Sequence, residues 1–215
     1  MRHNKLQTAK NFFSLEGVDG SGKTTQMDLL QKAIESKGYS CLRIREPGGS
    51  EISEKIRALL LDPSFKGSMS DKTELLLYNA ARAQLIKECI QPALDSGKIV
   101  LADRFAWSTL AYQGFGRNLD TQMVLDLSAI TCGKIFPELT IVLDIDVVKS
   151  RERMAMEGKV PDRLESEKVE FFERVRRGYL EIAGDFPNEV SIVAADQSKE
   201  KVHLEILNLI LARLG

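Results

Sequence analysis

Short apolar runs alternate along the chain with longer segments in which apolar residues recur every three or four positions. The short runs predict buried β-strands at residues 12–16, 40–45, 99–102, 139–143 and 190–193. The longer segments predict amphipathic helices at residues 23–37, 51–61, 73–94, 121–130, 169–182 and 201–214. Strands that alternate with helices indicate βαβ units, so we expect an α/β fold with a five-stranded parallel sheet flanked by helices on both faces.

One segment interrupts this alternation of strands and helices. Residues 156–163, MEGKVPDR, contain Gly158 and Pro161 and link two helical patterns, which predicts a mobile surface loop. We expect a single domain over residues 12–215, with a small lid at about residues 153–164. Residues 1–11, which are mostly polar and basic, are expected to form a flexible N-terminal extension.

A glycine-rich turn follows the first predicted strand. Residues 17–24, GVDGSGKT, match the pattern G-x-x-x-x-G-K-[ST] between a strand and a helix, the context that a phosphate-binding loop (P-loop) requires. Its backbone N–H groups can surround a phosphate, while Lys23 reaches the β- and γ-phosphates and Thr24 offers a hydroxyl to Mg²⁺. The expected fold is therefore that of the P-loop NTPases. The predicted ATP-binding residues are Gly17, Val18, Asp19, Gly20, Ser21, Gly22, Lys23, Thr24 and Thr25.

The loop alone does not define a reaction, because GTPases, motor ATPases and small-molecule kinases share it. The sequence has no N-K-x-D base-reading motif, which argues against a GTPase. Asp144, after a later predicted strand, could hold a metal ion as in a regulatory ATPase. Asp103 followed at once by Arg104 fits a kinase of small phosphorylated substrates better. We predict that Thr24 and Asp103 are the metal-binding residues.

Composition narrows the classes further. The hydrophobic fraction of 43% is ordinary for a globular protein. The net charge of −1 gives no indication of a nucleic-acid partner. The three cysteines are far apart and form no CxxC pair, which suits reduced thiols. No apolar stretch approaches membrane-spanning length, and the first residues do not resemble a signal peptide. We expect a cytoplasmic protein.

Six segments together resemble the bacterial thymidylate kinases (dTMP kinases), which are P-loop nucleoside monophosphate kinases. From about residue 12 onwards the segments are EGVDGSGKTT, REPGGSEISEKIR, YNAARAQL, DRFAWSTLAYQG, FPELTIVLDI and GKVPDRLESEKVEFFERVRRGYLEIA. The resemblance implies transfer of the γ-phosphate of ATP to dTMP with Mg²⁺, in dTTP biosynthesis. It also implies a homodimer, formed through the helices around residues 73–94 and 121–132. The alternatives are another (deoxy)pyrimidine monophosphate as acceptor or, in a different class, a regulatory P-loop ATPase.

The resemblance also assigns residues around the phosphate and sugar of the acceptor. Asp19 and Glu46 match acids that lie near the sugar hydroxyl and the phosphate-bound metal. Arg57 and Arg104 match two arginines that hold the 5′-phosphate, and a guanidinium suits a phosphate because it donates two parallel hydrogen bonds. Tyr112 matches an aromatic residue that packs beneath the sugar and leaves no room for a 2′-hydroxyl.

The base-reading residues follow from the same resemblance. Thymine presents an acceptor at O4, a donor at N3 and a methyl group at C5. Arg82 matches the residue that donates to O4, while Gln113, with Thr109 or Ser108 nearby, can satisfy the N3 edge. Tyr78 lies one helical turn before Arg82, so its ring can stack on the base, although relatives often have Phe there.

A cation must reach the transferred phosphoryl group, and none of the variable residues of the phosphate loop is basic. Bacterial members of the family place arginines in the lid. Arg163 follows Asp162, as in the family's D-R signature, and is our first candidate. Arg153 is the second, and Lys159 is a weaker substitute because it cannot donate a bidentate pair. The predicted catalytic residues are Lys23, Asp19, Arg104, Arg163 and Arg153.

Overall fold

The five predicted strands are all present in the structure, a computed structural model that describes residues 7–156, 158 and 161–214. They are β1 (Thr8–Glu16), β2 (Cys41–Arg45), β3 (Ile99–Asp103), β4 (Phe136–Asp144) and β5 (Val190–Ala194). Neighbouring strands pair in parallel in the order β2-β3-β1-β4-β5. The predicted α/β class with a five-stranded parallel sheet is confirmed.

Helices surround this sheet. They are α1 (Lys23–Ser36), α2 (Glu51–Leu61), α3 (Asp71–Leu85), α4 (Gln91–Asp95), α5 (Ala106–Thr109), α6 (Thr121–Cys132), α7 (Val147–Met156), α8 (Val169–Asp185) and α9 (Lys199–Leu214). Among the described residues, no helix combines the length and the apolar character that crossing a membrane requires.

The central strand shows that both faces of the sheet are covered. Phe12 and Phe13 are neighbours on β1, so their side chains point to opposite faces. Both are almost completely buried, and each belongs to a separate cluster of buried apolar residues. The two-sided burial explains why the strands read as nearly continuous apolar runs in the sequence.

The first strand is longer than predicted. It begins at Thr8, which pairs with Phe136, so residues 8–11 belong to the sheet and not to an extension. Thr8 and Lys10 are exposed, and their polar side chains give no strand signal in the sequence. Residues 1–6 of the expected extension lie outside the described residues.

Two helical segments differ from the prediction. The helix expected at residues 73–94 runs as α3, a π-helical turn (Ile86–Ile90) and α4. Pro92 lies just after this turn, and its missing N–H removes one helical hydrogen bond. The segment after β3 was not predicted as helical, but α5 continues there into a second π-helical stretch (Leu110–Gly116). This second stretch carries two of the predicted acceptor-binding residues, Tyr112 and Gln113.

The glycine-rich loop packs closely against the backbone of two other elements, β4 and α7. A Cβ at Gly17 would lie 2.6 Å from the carbonyl oxygen of Leu143 in β4. A Cβ at Gly20 would lie 2.4 Å from the carbonyl oxygen of Ser150 in α7. Only glycine fits at these positions, and both have positive φ angles. The loop is thereby held at the carboxyl edge of the sheet, where ligands bind in open parallel sheets.

Candidate active site

One cavity of about 640 Å³ opens at the carboxyl edge of the sheet. Its walls come from the loop after β1, the turn after β2, helices α2 and α3, the end of β3 and the helical segment that follows. Most of the predicted site residues line it together: Asp19, Gly20, Ser21, Gly22, Lys23, Thr24, Thr25, Glu46, Arg57, Tyr78, Arg82, Asp103, Arg104, Ser108, Thr109, Tyr112, Gln113 and Arg153. The structure therefore joins the phosphate loop and the pyrimidine-reading candidates in a single space.

Three predicted residues do not line the cavity. Gly17 and Val18 direct their carbonyl oxygens to the ammonium group of Lys23, at 3.1 and 3.0 Å, and the Val18 side chain is part of the core. Arg163 is the third, and its position is described below. Lys159, the weakest lid candidate, lies outside the described residues.

The phosphate loop has the conformation that its sequence predicts. Gly22 caps the start of α1 with a φ of 94°, so the N-terminal N–H groups of the helix face the cavity. Lys23, the first residue of this helix, is buried. Burial, together with the nearby charge of Arg104, lowers the pKa of Lys23 to about 8. A phosphate placed here would restore the charged form of the ammonium group.

Arg104 ties the end of β3 to the phosphate loop. Its backbone has a φ of 70°, and its Nη1 donates to the carbonyl of Gly17 at 2.8 Å. Its Nη2 forms an ion pair with Asp19 and donates to the Tyr112 hydroxyl at 3.2 Å. Burial alone would raise the pKa of Asp19, but the charges of Arg104 and Lys23 outweigh it and lower that pKa. Asp19 therefore stays ionised between the two halves of the cavity.

A buried ion pair forms the opposite end of the cavity. Arg82 donates from Nε to Glu46 at 2.9 Å and from Nη2 to the same carboxylate at 2.7 Å, and Nη2 also donates to the hydroxyl of Thr109 at 2.8 Å. Burial raises the pKa of the Glu46 carboxyl to about 7, although Arg82 lies against it. The Nη1 of Arg82 has no hydrogen-bond partner within the described part of the chain. A donor of this kind can serve a ligand.

The remaining acceptor-side candidates surround this pair. Arg57 donates to the carbonyl of Pro47 at 2.8 Å, and its partly buried guanidinium borders the cavity. Gln113 donates from Nε2 to Glu74 at 2.9 Å. Ser108 is hydrogen-bonded to the buried Glu16, which limits its freedom to contact a ligand.

The two predicted metal-side residues, Thr24 and Asp103, line the cavity beside the glycine-rich loop. Thr24 exposes its hydroxyl to the cavity, and the carboxylate of Asp103 is close enough to Lys23 to raise its pKa partly back. No cluster of three or more His, Cys, Asp or Glu side chains within the described ranges could hold a metal ion alone. A hydroxyl and a carboxylate beside a phosphate site nevertheless fit Mg²⁺, which takes oxygen ligands and few protein groups.

The two arginines predicted for the lid have different surroundings. Arg153, on α7, borders the cavity and donates to the carbonyl of Ala195 at 3.2 Å. Arg163 is buried, 2.6 Å from the carboxylate of Glu74, and its Nε donates to the carbonyl of Leu60 at 2.6 Å. The structure thus differs from the expectation that ranked Arg163 first. Tertiary partners that the sequence does not reveal hold this side chain away from the cavity.

Sequence reasoning missed one wall of the cavity. The loop after β5 and the start of α9 contribute Ala195, Gln197, Lys199 and Val202. Gln26 of α1 donates to the carbonyl of Lys199 at 3.0 Å, which fixes this loop beside the phosphate site. A signal was available, because the loop leaves the carboxyl end of a strand in the same parallel sheet.

The fold and this cavity define a class of protein. A parallel sheet carries a phosphate loop after its central strand, and the space beside that loop is lined by arginines suited to a second phosphorylated ligand. This is the arrangement of a P-loop phosphotransferase that acts on a small phosphorylated molecule.

Comparison with known proteins identifies the family. The family model described as Thymidylate kinase matches residues 15–206, and the chain belongs to this family. It is 45% identical over 196 residues to the thymidylate kinase of Pelotomaculum thermopropionicum, covering 91% of this chain and 90% of that protein. It is 47% identical over 199 residues to the thymidylate kinase of Halothermothrix orenii, covering 91% and 93%.

A solved structure agrees with this assignment. The crystal structure of thymidylate kinase from Ehrlichia chaffeensis superposes with a TM-score of 0.74 at 31% identity, covering 95% of this chain and 98% of that one. The chain is thus a kinase that transfers a phosphoryl group from ATP to dTMP and yields dTDP. The comparisons give no support to the alternative acceptor or to a regulatory ATPase.

Proposed function

We propose that ATP occupies the phosphate-loop end of the cavity and dTMP the Arg82 end, with in-line transfer between them. The observation that supports this division is the continuity of the cavity, since both sets of residues line one space. Two substrates bound side by side with their phosphates between Lys23 and Arg104 need no covalent intermediate on the protein. Positioning and charge neutralisation then supply the catalysis.

On the donor side, the loop residues 17–25 hold the ATP phosphates through backbone N–H groups, and Lys23 contacts the β- and γ-phosphates. Thr24 and Asp103 are the side chains that would hold Mg²⁺. This ion supplies charge neutralisation at the phosphates when bound. Ala195 and Gln197 extend the cavity beyond the phosphates, where the nucleoside of ATP fits.

On the acceptor side, Arg57 and Arg104 hold the 5′-phosphate of dTMP. Its attacking oxygen is anionic near neutral pH, so no side chain has to remove a proton. Asp19 and Glu46 lie on the sugar side, and the Tyr112 ring occupies the space that a 2′-hydroxyl would need. These roles agree with the direct contacts among Arg104, Asp19 and Tyr112.

The base is read at the buried end of the site. The unpartnered Nη1 of Arg82 supplies a donor for thymine O4, and Gln113 faces N3. Thr109 supports this arrangement by accepting from Arg82, and the Tyr78 ring, half-buried at the cavity wall, provides a stacking surface. Ser108 supports Arg104 from behind, with 3.3 Å between its hydroxyl and Nη1.

The cation for the transferred phosphoryl group is assigned to Arg153. It already contacts the phosphate loop, with Nη1 3.4 Å from the carbonyl of Gly20. Arg163 then acts as an anchor for the end of the lid, through Glu74 and Leu60. A lid at about residues 153–164 would close over ATP and exclude water from the transferred group.

The assembly and location belong to the same proposal. The exposed apolar side chains Leu76 on α3 and Ile130 on α6 support a homodimer through these helices. The three cysteines are unpaired, which supports a reducing compartment such as the cytoplasm. Residues 12–215 would form the kinase domain, with β1 reaching back to Thr8.

A coupled assay of ADP release tests the proposal. We expect release to require an acceptor, to be fast with dTMP and to be at least about tenfold slower with dCMP. Arg82→Met should abolish this preference while ATP binding persists, because the change lies at the far end of the cavity. Equal ADP release with and without dTMP would contradict the assignment of the acceptor site.

A further inference from the structure

Glu74 is a buried carboxylate that the reaction itself does not use. It lies on α3, 1% exposed, and accepts hydrogen bonds from three side chains that belong to two other chain segments. Gln113 donates to its Oε1 at 2.9 Å, Arg117 donates at 3.1 Å to each oxygen, and Arg163 lies 2.6 Å from Oε2. Burial alone would raise the pKa of Glu74, but these donors lower it, so the carboxylate is ionised.

An ionised carboxylate accepts hydrogen bonds and has none to donate. A glutamine amide has one face that donates, its NH₂ group, and one that accepts, its carbonyl oxygen. The Gln113 amide must therefore turn its NH₂ group to Glu74 and keep its carbonyl oxygen for the cavity that it lines. The reverse orientation would bring two acceptor oxygens together between two buried side chains.

We propose that Glu74 is a specificity-determining positioning residue, which selects a pyrimidine with N3–H by fixing the Gln113 carbonyl oxygen toward the base. The inference rests on the proposed role of Gln113 as the reader of the N3 edge. Thymine and uracil carry a hydrogen on N3, whereas N3 of cytosine is an acceptor. A cytosine here would oppose its lone pair to that of Gln113, and the amide cannot flip to correct the mismatch.

The test replaces the carboxylate by an amide of the same shape. In Glu74→Gln, the new side chain can donate its NH₂ to the Gln113 carbonyl, so the Gln113 amide can flip and offer a donor to cytosine N3. We expect the ratio of kcat/KM for dTMP to kcat/KM for dCMP to fall by about tenfold or more, the scale of one hydrogen bond. An unchanged ratio in a folded variant would overturn the proposal.

A matched control separates this effect from damage to the ion-pair cluster. Glu167 accepts from Arg117 at 2.7 Å and is not hydrogen-bonded to Gln113. Glu167→Gln should therefore leave the dTMP to dCMP ratio unchanged, even if it lowers the melting temperature. If the ratio falls equally in both variants, the cause is disruption of the ion-pair cluster as a whole, and the role of Glu74 is overturned.

A double-mutant cycle distinguishes failure of this inference from failure of the proposed site. Gln113→Leu should itself lower the ratio, and Glu74→Gln should have no further effect on it in that background. If Gln113→Leu leaves the ratio unchanged, the reading of N3 by Gln113 fails, and the inference with it. If Gln113→Leu lowers the ratio and Glu74→Gln does not, only the role of Glu74 fails.

The wild-type protein offers a check that no folding defect can disturb. With the glutamine side chains labelled with ¹⁵N, the Gln113 NH₂ protons should exchange slowly with water both before and after dTMP binds, because they are donated to Glu74. Fast exchange of these protons in the dTMP complex would show that they are not donated to Glu74 and would overturn the proposal.

Discussion

Arg82 and Glu46 face each other in the interior as a two-point ion pair, with both side chains almost fully buried. The pair links α3 to the turn after β2, and both residues line one end of the cavity. Glu46→Ala would leave the guanidinium buried without its carboxylate. We expect this change to lower the free energy of unfolding by about 3–5 kcal/mol, measured by urea unfolding at pH 8, where Glu46 is ionised.

The exposed pair between Lys55 and Glu51, 3.1 Å apart, provides the control. Glu51→Ala should change the free energy of unfolding by less than about 1 kcal/mol, because water screens an exposed pair. Similar losses in the two variants would mean that burial of the Arg82–Glu46 pair has no special energetic weight.

Arg153 and Arg163 give opposite predictions. Arg153→Ala should lower kcat by about 10²–10³-fold, the usual effect of losing one group that stabilises developing charge, with an unchanged melting temperature. Arg163→Ala should instead destabilise the fold by about 1–3 kcal/mol, since it leaves the Leu60 carbonyl without this donor and removes one of the donors to the buried Glu74. Steady-state kinetics and thermal melting measure the two effects. A large loss of kcat in a stable Arg163→Ala protein, with normal turnover in Arg153→Ala, would return the catalytic role to Arg163.

The low pKa of Lys23 predicts a pH dependence of ATP binding. Burial lowers this pKa to about 8, whereas the phosphates of ATP bind the charged ammonium. Above pH 8, ATP binding must therefore be accompanied by the uptake of a proton at Lys23. The dissociation constant of ATP should rise about fivefold between pH 8 and pH 9. Isothermal titration calorimetry without acceptor measures it, and Lys23→Met should bind more weakly without this step. An affinity that is constant over this range would contradict the assignment of Lys23 to the phosphates.

The lowered pKa of Lys23 should weaken ATP binding as pH rises, but it should increase the stability of the folded protein over the same range. The folded protein holds Lys23 with a pKa of about 8, below its ordinary value of 10.5, so the unfolded chain binds more protons between these two pH values. Stability in the absence of ATP should therefore increase as pH rises through this window.

The exposed apolar side chains of α3 and α6 predict the assembly. Leu76 is 58% exposed and Ile130 is 79% exposed. If they are buried in a homodimer, Leu76→Glu combined with Ile130→Glu should convert the protein to a monomer, because each glutamate would bring an unpaired charge into the interface. Light scattering coupled to size exclusion measures the mass. Leu204→Glu, at a 57% exposed position on α9, should leave the mass unchanged, and a monomeric wild-type protein would contradict the proposal.

Local sequence determined the strands and the phosphate loop. Buried parallel strands must be apolar on both faces, so their runs are visible in the chain, and three of the five strands start within one residue of the predicted position. The phosphate loop could also be predicted from the sequence, because its own backbone conformation requires glycine, with positive φ angles at Gly17, Gly20 and Gly22. The start of β1 at Thr8 was missed because that end of the strand is polar and exposed.

Tertiary structure alone decided the partners of the charged side chains. An arginine looks the same in the sequence whether it faces a nucleotide or a buried carboxylate, and only the packing of distant segments distinguishes the two. Arg153 and Arg163 are ten positions apart by their numbers, yet one borders the cavity and the other is bound to Glu74. The orientation of the Gln113 amide is of the same kind, because hydrogen bonding between remote elements is a property of the folded chain.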